Sequence, residues 1–346
     1  MKAAILGTTG YTGQILLRLL ARHKEIDEIL PGSSSQAGSP LEDVDYGVSR
    51  RVLAKTEKHK SKLLTTEEIA AEKPDVVFAA LPHLASATVC APFFGSTPVI
   101  DLSADFRIKD PLLFEKTYKE KPPRPDLLEK AVYGLAEWNT AAIKKADLIA
   151  NPGCYPTATL LPLLPLSAAG LLKGTVITNA LSGVSGAGRN VKAMYLFCER
   201  SENTCAYAPG KKHRHQPEIK QGLDSVPGSG IDILFTPHLV PLKQGMEVTT
   251  VAQLTRPVSY EEISAVYTKA YADKPCVKLT GQRIPETLHV RNSNRCDIGW
   301  QIEDDKIILL SVIDNLLKGA SGQAVQNMNL RFGFEETEGL CLDGEI

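Results

Sequence analysis

The sequence predicts an α/β protein in which a Rossmann-like dinucleotide-binding domain is joined to an α+β domain with a mixed, largely antiparallel sheet. Three observations support this prediction. Short apolar runs alternate with amphipathic runs over the first 150 residues, a glycine-rich turn follows the first apolar run, and strand-like segments succeed one another after residue 175. The expected domains are 1–150 with 318–346, which would bind the dinucleotide, and 151–317, which would carry catalysis and oligomerisation.

Periodicity and composition place the elements of each domain. In the first domain, strands are predicted at 3–6, 26–30, 75–81, 98–102 and 146–150, with helices at 14–23 and 84–94. Because strands and helices alternate, we expect a parallel sheet. In the second domain, strands are predicted at 175–181, 231–235, 246–255, 276–280, 288–291, 296–302 and 306–313, with a helix at 260–271. A helix at 319–331 closes the chain, and the stretch 109–126, rich in Lys and Pro, is expected to be an exposed connection.

Composition excludes several functional classes. The 346 residues, 43% of them hydrophobic, can bury a substantial core, and a net charge of −1 without a dense basic stripe gives no electrostatic signal for nucleic acid. Seven cysteines without paired metal spacing indicate reduced thiols rather than a disulfide framework or a structural zinc site. No apolar stretch reaches the roughly 20 residues needed to span a bilayer, and the chain start has no signal-peptide pattern. We therefore expect a cytoplasmic protein that acts on a small molecule, without nucleic-acid or membrane partners.

A glycine-rich turn joins the first predicted strand to the first predicted helix. It reads Gly-Thr-Thr-Gly-Tyr-Thr-Gly over residues 7–13, with G-x-x-G-x-x-G spacing in place of the standard G-x-G-x-x-G. Glycines let the backbone approach a pyrophosphate closely, and the start of the helix supplies N–H donors. The predicted cofactor-binding residues here are Gly7, Thr9, Gly10, Tyr11, Thr12 and Gly13.

The residues after the second predicted strand indicate which dinucleotide binds. Ser33, Ser34 and Ser35 stand where an Asp or Glu would bind the ribose 2′-hydroxyl of NAD and repel the 2′-phosphate of NADP. Three hydroxyls in place of a carboxylate favour NADP(H), although a serine run is also common in ordinary loops. Leu81 and Pro82, at the end of the third predicted strand, complete the predicted cofactor contacts.

Cys154 is the candidate nucleophile. It follows Pro152 and Gly153 at a turn between the apolar run 148–150 and a long apolar helix-like run that begins near Pro156. A thiol at the first turn of a helix experiences the positive end of the helix dipole and unsatisfied backbone N–H groups, which favour the thiolate. A small buried core residue is the ordinary alternative for any one cysteine, but the other cysteines have no comparable setting.

The segment 213–218, His-Arg-His-Gln-Pro-Glu, supplies candidate proton donors and acceptors. A histidine beside a thiolate stabilises its charge and can later protonate a developing oxyanion. Both His213 and His215 are candidates; His215 is preferred because it lies nearest the turn made with Pro217, and Glu218 could orient one imidazole. A solvated basic loop is the alternative. A metal site is disfavoured because the chain offers the two histidines and Glu218 no clear companion ligand.

Two further segments could bind an anionic substrate. The loop 182–189 contains three glycines and two serines, whose N–H and hydroxyl groups can donate to an anion, and Arg189 can clamp a carboxylate or phosphate through two hydrogen bonds. Residues 103 and 107 follow another predicted strand and could face the same crevice. The predicted substrate-binding residues are Ser103, Arg107, Ser182, Gly183, Arg189 and Glu218. A plain flexible loop is the alternative for 182–189.

Taken together, these motifs resemble the N-acetyl-γ-glutamyl-phosphate reductases, the arginine-biosynthesis relatives of aspartate-semialdehyde dehydrogenase. The resemblance covers nearly the whole chain and rests on the segments 7–13, 101–107, 133–137, 151–158, 182–189, 213–219 and 314–324. It implies NADPH-dependent reduction of an acyl phosphate to an aldehyde, with Cys154 as nucleophile and the double-histidine segment as acid and base. It also implies that Asn315 and Gly319 lie near the nicotinamide and that the active enzyme is a homo-oligomer, a dimer or a tetramer.

The chain departs from the family at one position, and two alternatives to the proposed function stay open, one with another substrate and one without catalysis. The family often has an arginine after the serines, where this chain has Ser35-Gln36. The same chemistry could act on aspartyl phosphate, or on a carrier-bound amino-adipyl phosphate as in some relatives, because motif spacing alone does not separate these substrates. A protein of another class, a non-catalytic NADP-sensing regulator, would leave Cys154 dispensable.

Overall fold

The structure, a computed structural model, describes residues 1–189 and 191–345. Within them the chain forms two compact units, one of Met1–Pro152 with Ala320–Leu340 and the other of Gly153–Gly319 with the residues after 340. The residues 341–345, which the sequence assigned to the first domain, lie in the second unit because Asn294 N–H donates to Cys341 O and Arg291 pairs with Glu345. No helix in the described residues is long and apolar enough to cross a membrane.

The first unit contains a six-stranded parallel sheet in the order β2-β1-β3-β4-β6-β5. Its strands are β1 (Lys2–Leu6), β2 (Glu28–Gly32), β3 (Val76–Ala79), β4 (Val99–Asp101), β5 (Val132–Tyr133) and β6 (Leu148–Ala150). Parallel strands covered on both faces are apolar along their length, and every residue of β3 is buried. The predicted Rossmann-like parallel sheet is confirmed, and its carboxyl edge is where such sheets bind ligands.

Helices join these strands: α1 (Tyr11–Arg22), α2 (Leu41–Val44), α3 (Arg50–Thr56), α4 (Thr66–Ala71), α5 (Ser86–Val89), α6 (Pro111–Tyr118), α7 (Pro125–Leu128) and α8 (Ala136–Ile143). One prediction in this region was wrong and another was incomplete. The helix expected at 84–94 is reduced to the single turn α5, because Leu84 has a φ of 68° and cannot be helical. The stretch 109–126 contains α6, which forms because Asp110 caps it by accepting from Leu112 N–H and Phe114 is buried beneath it.

The second unit is built on a seven-stranded mixed sheet in the order β11-β12-β13-β10-β7-β9-β8. Its strands are β7 (Leu172–Ser182), β8 (Cys205–Ala206), β9 (Asp232–Leu239), β10 (Met246–Leu254), β11 (Val277–Gly281), β12 (Cys296–Glu303) and β13 (Lys306–Ile313). The β7–β9 and β11–β12 pairs are parallel and the other neighbours are antiparallel, which confirms the predicted mixed, largely antiparallel sheet. The strand predicted at 288–291 is wrong. Thr287–His289 forms a 3₁₀ turn, and Asn292, with a φ of 66°, bends the chain away.

The helices of the second unit are α9 (Cys154–Ala168), α10 (Phe197–Arg200), α11 (His215–Asp224) and α12 (Tyr260–Tyr271). α9 is buried almost throughout, although two prolines in its interior, Pro162 and Pro165, cannot donate an N–H within the helix. The carbonyl opposite Pro162, Ala158 O, accepts instead from the Ser311 hydroxyl, and the carbonyl opposite the second proline, Leu161 O, accepts from the Tyr271 hydroxyl. These bonds satisfy buried carbonyls and fix α9 against β13 and α12.

The last helix, α13 (Gly322–Phe332), belongs to the first unit and follows a π-helical turn at Leu317–Ser321. The predicted closing helix is therefore confirmed, with its regular part starting a few residues later. Buried amides hold it: Asn327 Nδ2 donates to Gly134 O and to Asn151 Oδ1, and Asn329 Oδ1 lies 2.8 Å from His23 Nε2.

Candidate active site

Cys154 lies in the first turn of a helix, as predicted, although α9 begins at Cys154 itself and not near Pro156; the residue is partly exposed. In the first turn of this helix, several backbone groups either already form hydrogen bonds or have no N–H to donate. Gly153 N–H donates to Glu218 Oε1 at 3.0 Å, Thr157 N–H donates to Gly153 O, and Pro156 has no N–H. The Tyr155 N–H is therefore a donor that can meet an anion at the helix start, where the helix dipole is positive.

Gly319 contacts Cys154 directly. A Cβ built on Gly319 would lie 2.7 Å from Cys154 Cβ, closer than two such atoms can approach. Gly319 is held there by the π-helical turn and by its N–H, which donates to Asp314 O at 2.9 Å. The family resemblance implies that Gly319 also lies near the nicotinamide, which stays a prediction; in the structure Gly319 lies against the candidate nucleophile.

His213 lies in an aromatic cage of the second unit. Its ring centroid is 5.4 Å from Tyr155, 5.4 Å from Tyr207, 5.3 Å from Phe235 and 5.0 Å from His215. Burial, with a smaller contribution from the charge of the neighbouring arginine, lowers the pKa of His213 to about 4. Its Nδ1 accepts from His215 N–H at 3.2 Å, so the neutral ring carries its proton on Nε2.

His215 is the first residue of α11 and is 6% exposed. Its ring centroid lies 5.8 Å from that of Tyr155, the residue that follows Cys154. Glu218 is one helical turn further along α11 and lies fully buried against the Gly153 amide. The structure thus brings the double-histidine segment to the start of α9, as a cysteine–histidine site requires.

Tyr155 and Tyr207 form a phenol pair that the sequence analysis missed. The Tyr207 hydroxyl donates to the Tyr155 hydroxyl at 2.9 Å. Burial is the main cause that raises the pKa of both phenols; for Tyr155 the neighbouring Tyr207 raises it next, and the charge of Cys154 raises each further. The signals available in the sequence were weak: a tyrosine directly after the cysteine, and another shortly before the histidines.

The last residue of β7 and the loop that follows it include three of the predicted site residues. Ser182 is buried and donates to Gly183 O, while Arg189 is exposed. A Cβ on Gly183 would fall 2.8 Å from Gln244 N, so this position admits only glycine. Asn315, predicted near the nicotinamide, holds this loop, because its Nδ2 donates to Ser185 Oγ and its Oδ1 accepts from Gly245 N–H.

In the first unit, the glycine-rich turn has the form that a pyrophosphate needs. A Cβ on Gly7 would fall 2.4 Å from Ala80 O, and a Cβ on Gly13 would fall 2.2 Å from Gly7 O. Gly10 is the N-cap of α1 and gives no side-chain cap to its amides. These amides and the narrow turn fit a dinucleotide phosphate.

The remaining predicted cofactor residues surround this turn. Tyr11 and Thr12 begin α1, and Thr12 O accepts from the Ser321 hydroxyl. Leu81 and Pro82 follow β3, and Leu81 Cδ2 would lie 3.3 Å from a Cβ on Gly7. Ser33, Ser34 and Ser35 follow β2; Ser33 is buried and accepts from Gln36 N–H, whereas the other two serines are exposed.

Ser103 and Arg107 lie in the first unit, in the loop after β4. Ser103 is fully buried; its hydroxyl donates to Asp101 Oδ2 at 2.8 Å and accepts from Asp105 N–H. Burial, and next the charge of Asp105, raises the pKa of Asp101 to about 6. Arg107 is 5% exposed, and its Nη2 donates to Leu102 O. The contacts of Ser103 are those of a loop-forming residue, and its role with substrate stays a prediction.

One cluster elsewhere in the first unit has the composition of a metal site. The ligand atoms of Glu28, His59 and Glu72 lie within 4.8 Å of one another. The same carboxylates bind ammonium groups: Lys2 Nζ lies 2.7 Å from Glu72, and Lys58 Nζ lies 3.2 Å from Glu28. Because two lysines already neutralise the two glutamates, this cluster is a surface ion-pair network.

Comparisons with known proteins agree with both units. The family model described as semialdehyde dehydrogenase, NAD binding domain, matches residues 2–146, and the one described as semialdehyde dehydrogenase, dimerisation domain, matches residues 154–315. Aspartate semialdehyde dehydrogenase II from Vibrio cholerae shares the fold with a TM-score of 0.72 at 18% identity, covering 96% of this chain and 98% of that one. The Candida albicans enzyme with NADP gives a TM-score of 0.67 at 19% identity, covering 95% and 97%. Fold and family models together define a protein of the semialdehyde dehydrogenase class.

Relatives of higher identity narrow this class. N-acetyl-gamma-glutamyl-phosphate reductase from Thiobacillus denitrificans is 47% identical over 98% of both chains, and that from Geobacter sulfurreducens is 43% identical over 99% of this chain and 98% of the relative. The chain belongs to the N-acetyl-γ-glutamyl-phosphate reductase family, which confirms the resemblance drawn from the motifs.

Proposed function

We propose that this protein catalyses the NADPH-dependent reduction of N-acetyl-γ-glutamyl phosphate to N-acetylglutamate 5-semialdehyde and phosphate. The proposal is supported by relatives of this name over nearly the full chain. The observation that carries it is Cys154 at the start of α9, with His215 close to the same helix start. A thiolate and an acid/base in this arrangement perform acyl transfer.

In the first half-reaction, the Cys154 thiolate attacks the γ-carbonyl carbon. A C–S bond forms, the C–O bond to phosphate breaks, and phosphate leaves with the electron pair of that bond. The Tyr155 N–H at the helix start stabilises the oxyanion of the tetrahedral intermediate, because it is a fixed donor at the positive end of a helix dipole. The product of this step is a thioester on Cys154.

The second half-reaction reduces the thioester carbon, and a nicotinamide dinucleotide held at the glycine-rich turn 7–13 would supply the hydride. His215 protonates the oxygen that becomes a thiohemiacetal hydroxyl. The same imidazole then removes that proton as the C–S bond breaks, which releases the aldehyde and restores the Cys154 thiolate. Covalent capture keeps the acyl group in place between the two steps.

We assign the acid/base role to His215 and a supporting role to His213. A pKa of about 4 keeps His213 neutral at physiological pH, and its Nδ1 is occupied by His215 N–H. His213 therefore fixes the backbone at the start of α11, and we assign proton transfer to His215, whose ring lies 5.8 Å from that of Tyr155. The proposed contacts for the substrate carboxylate or phosphate are still Arg189, Ser182, Gly183 and Arg107.

We propose NADP(H) as the cofactor because no acidic residue follows β2 before Glu42. A 2′-phosphate can accept from the hydroxyl and amide groups of Ser34 and Ser35, which are exposed. A carboxylate at this place would repel it.

We also propose that the protein is a homo-oligomer that uses the open face of the second sheet. Leu234, Ile177, Val251 and Ile308 are neighbours in one row across β9, β7, β10 and β13. Leu234 is 50% and Ile177 47% exposed, so the row leaves apolar surface uncovered in a single copy. The match to a dimerisation-domain model supports a second copy as its occupant.

Two assays test the function. Rates with N-acetylglutamate semialdehyde and with aspartate semialdehyde, each with phosphate and NADP, should favour the first; preference for the second would overturn the substrate. Cys154→Ser should abolish turnover while the affinity for NADP stays near that of the wild type. Retained turnover would exclude Cys154 as the nucleophile, whereas NADP binding without turnover in the wild type would favour a dinucleotide-sensing regulator.

A further inference from the structure

We propose that Glu218 is a positioning residue for Cys154: its carboxylate holds the Gly153 peptide and thereby fixes the start of α9 relative to His215. The inference deepens the proposed function, because it concerns the geometry of the same cysteine–histidine site. It assigns to Glu218 a backbone contact, in place of the substrate or imidazole contact that the sequence suggested.

The hydrogen bond itself is specific. Glu218 Oε1 accepts from Gly153 N–H at 3.0 Å, across 65 positions of sequence, and Glu218 is fully buried. Gly153 is the N-cap of α9, and this helix start has no side-chain cap of its own. A buried carboxylate is costly unless it is hydrogen-bonded, so its place at this amide is tightly determined.

The packing of α11 on α9 explains why Glu218 reaches Gly153. Gly222 lies one turn after Glu218, and a Cβ there would fall 2.6 Å from Leu160 Cδ1, so the two helices approach closely at this glycine. α11 therefore contacts α9 at two places: Gly222 meets Leu160, and Glu218, one turn earlier in α11, meets Gly153 at the start of α9. Both helices therefore start at the same end of the contact.

The packing of α11 on α9 also determines the position of His215. It lies three residues before Glu218 on the same face of α11, so it extends past the contact at Gly153 to the end of α9 where Cys154 begins the helix. Glu218 thus bridges the element that carries the acid/base and the element that carries the nucleophile. Loss of this hydrogen bond should move the Cys154 thiol away from the aligned N–H groups at the start of α9, and should also move it away from His215.

Three substitutions separate the hydrogen bond from the charge. Glu218→Gln keeps an acceptor oxygen at the same length, Glu218→Asp keeps the charge on a shorter side chain, and Glu218→Ala removes both. We expect kcat to fall less than about 5-fold in E218Q and about 10²-fold in E218D and E218A, because a displacement of about 1 Å has an effect of this size. The affinity for NADP should change less than about 3-fold, and unfolding curves identify any variant that fails to fold. If E218A does not fold, the comparison of E218Q with E218D still shows whether the hydrogen bond or the charge of Glu218 matters.

Alkylation of Cys154 by iodoacetamide, followed by mass spectrometry across pH, gives a readout independent of turnover. The midpoint of its pH dependence should rise in E218D and E218A, since the thiolate loses the aligned amides of the helix start, and should not rise in E218Q. Equal damage in E218Q and E218A would overturn the inference and indicate a role for the charge. Unchanged alkylation profiles in E218D and E218A would also overturn it. Failure of the proposed function is distinct: it would appear as wild-type turnover that survives complete labelling of Cys154.

Discussion

Gly319 and Cys154 are in van der Waals contact, and the contact leaves no room for a side chain at position 319. A Cβ on Gly319 would lie 2.7 Å from Cys154 Cβ and 3.2 Å from Cys154 Cα. The π-helical turn at Leu317–Ser321 supplies the backbone that makes this approach. The nucleophile is therefore supported from one side by the backbone before α13 and from another by Glu218 beneath Gly153.

Replacement of Gly319 by Ala should displace Cys154. We expect kcat to fall about 10- to 100-fold, because the added methyl group forces the start of α9 or the turn itself to move. Overpacking of this kind also lowers the free energy of unfolding, by about 1–3 kcal/mol. Steady-state kinetics and denaturant unfolding measure the two effects. Gly47→Ala is a matched control, since a Cβ there meets only the ends of two flexible side chains, Asp45 Oδ1 at 3.3 Å and Arg18 Nη2 at 3.8 Å. Wild-type kinetics in G319A would show that the contact does not position the thiol.

His213 and His215 should differ in their effect on rate. His215→Gln removes the group assigned to proton transfer, and we expect kcat to fall about 10²- to 10⁴-fold. His213→Gln alters the cage and the bond to His215 N–H, and we expect a smaller loss, below about 10-fold. A pH–rate profile separates the two roles, because only the His215 variant should lose a titrating limb. The reverse order of the two losses would mean that the roles are exchanged.

The pKa of His213 predicts a pH dependence of stability. The unfolded chain protonates this residue near its usual value of 6.5, whereas the folded protein does so only near 4. The unfolded state binds more protons between these values, so the stability present above pH 6.5 is lost as the pH falls toward 4. At about pH 5 the loss should amount to about 2 kcal/mol. Denaturant unfolding of wild type and H213Q at about pH 7.5 and pH 5 measures it. A difference between the two proteins that does not change with pH would contradict the prediction.

Local features of this chain were predictable from sequence, and long-range ones were not. The start of α9 at Cys154 follows from Pro152, Gly153 and the apolar run behind them, which act within one helical turn. The glycine-rich turn was equally visible, because glycine spacing is a local property. The failed strand at 288–291 shows the limit: its apolar residues suit a strand, but a positive φ at Asn292 and the resulting turn decide the backbone.

The supports of the site depend on contacts between residues far apart in sequence. Nothing near Glu218 indicates that it meets Gly153, and nothing near Gly319 indicates that it meets Cys154. The cage around His213 has the same origin, since Tyr207 and Phe235 come from two separate strand regions. Tertiary packing fixes these partners, whereas periodicity reports only which face of an element is buried.

The preference for NADPH over NADH should fall when a negative charge is introduced in the loop after β2. Ser34→Asp or Ser35→Asp places a carboxylate where the 2′-phosphate of NADP is proposed to lie, so KM for NADPH should rise at least about 10-fold through like-charge repulsion. KM for NADH, which lacks that phosphate, should stay within about 3-fold. Ser96→Asp is a control of equal charge. Ser96 is exposed and precedes β4, so it lies at the amino ends of the strands, whereas Ser34 and Ser35 follow the carboxyl end of β2. Equal effects on both cofactors would contradict the proposed phosphate position.

The oligomeric state should depend on the apolar row of the second sheet. Ile177 and Leu234 are direct neighbours on β7 and β9, and each is about half exposed. Asp at either position would bury a carboxylate in the proposed interface, where it would have no assigned cationic partner, so the assembly should dissociate into smaller species. Light scattering coupled to size exclusion measures the mass. Leu112→Asp is the matched control, since Leu112 is 77% exposed on α6 of the other unit and should leave the mass unchanged. If I177D and L234D both keep the wild-type mass, copies associate through another surface; if the wild type itself has the mass of one chain, the row has no second copy to cover it.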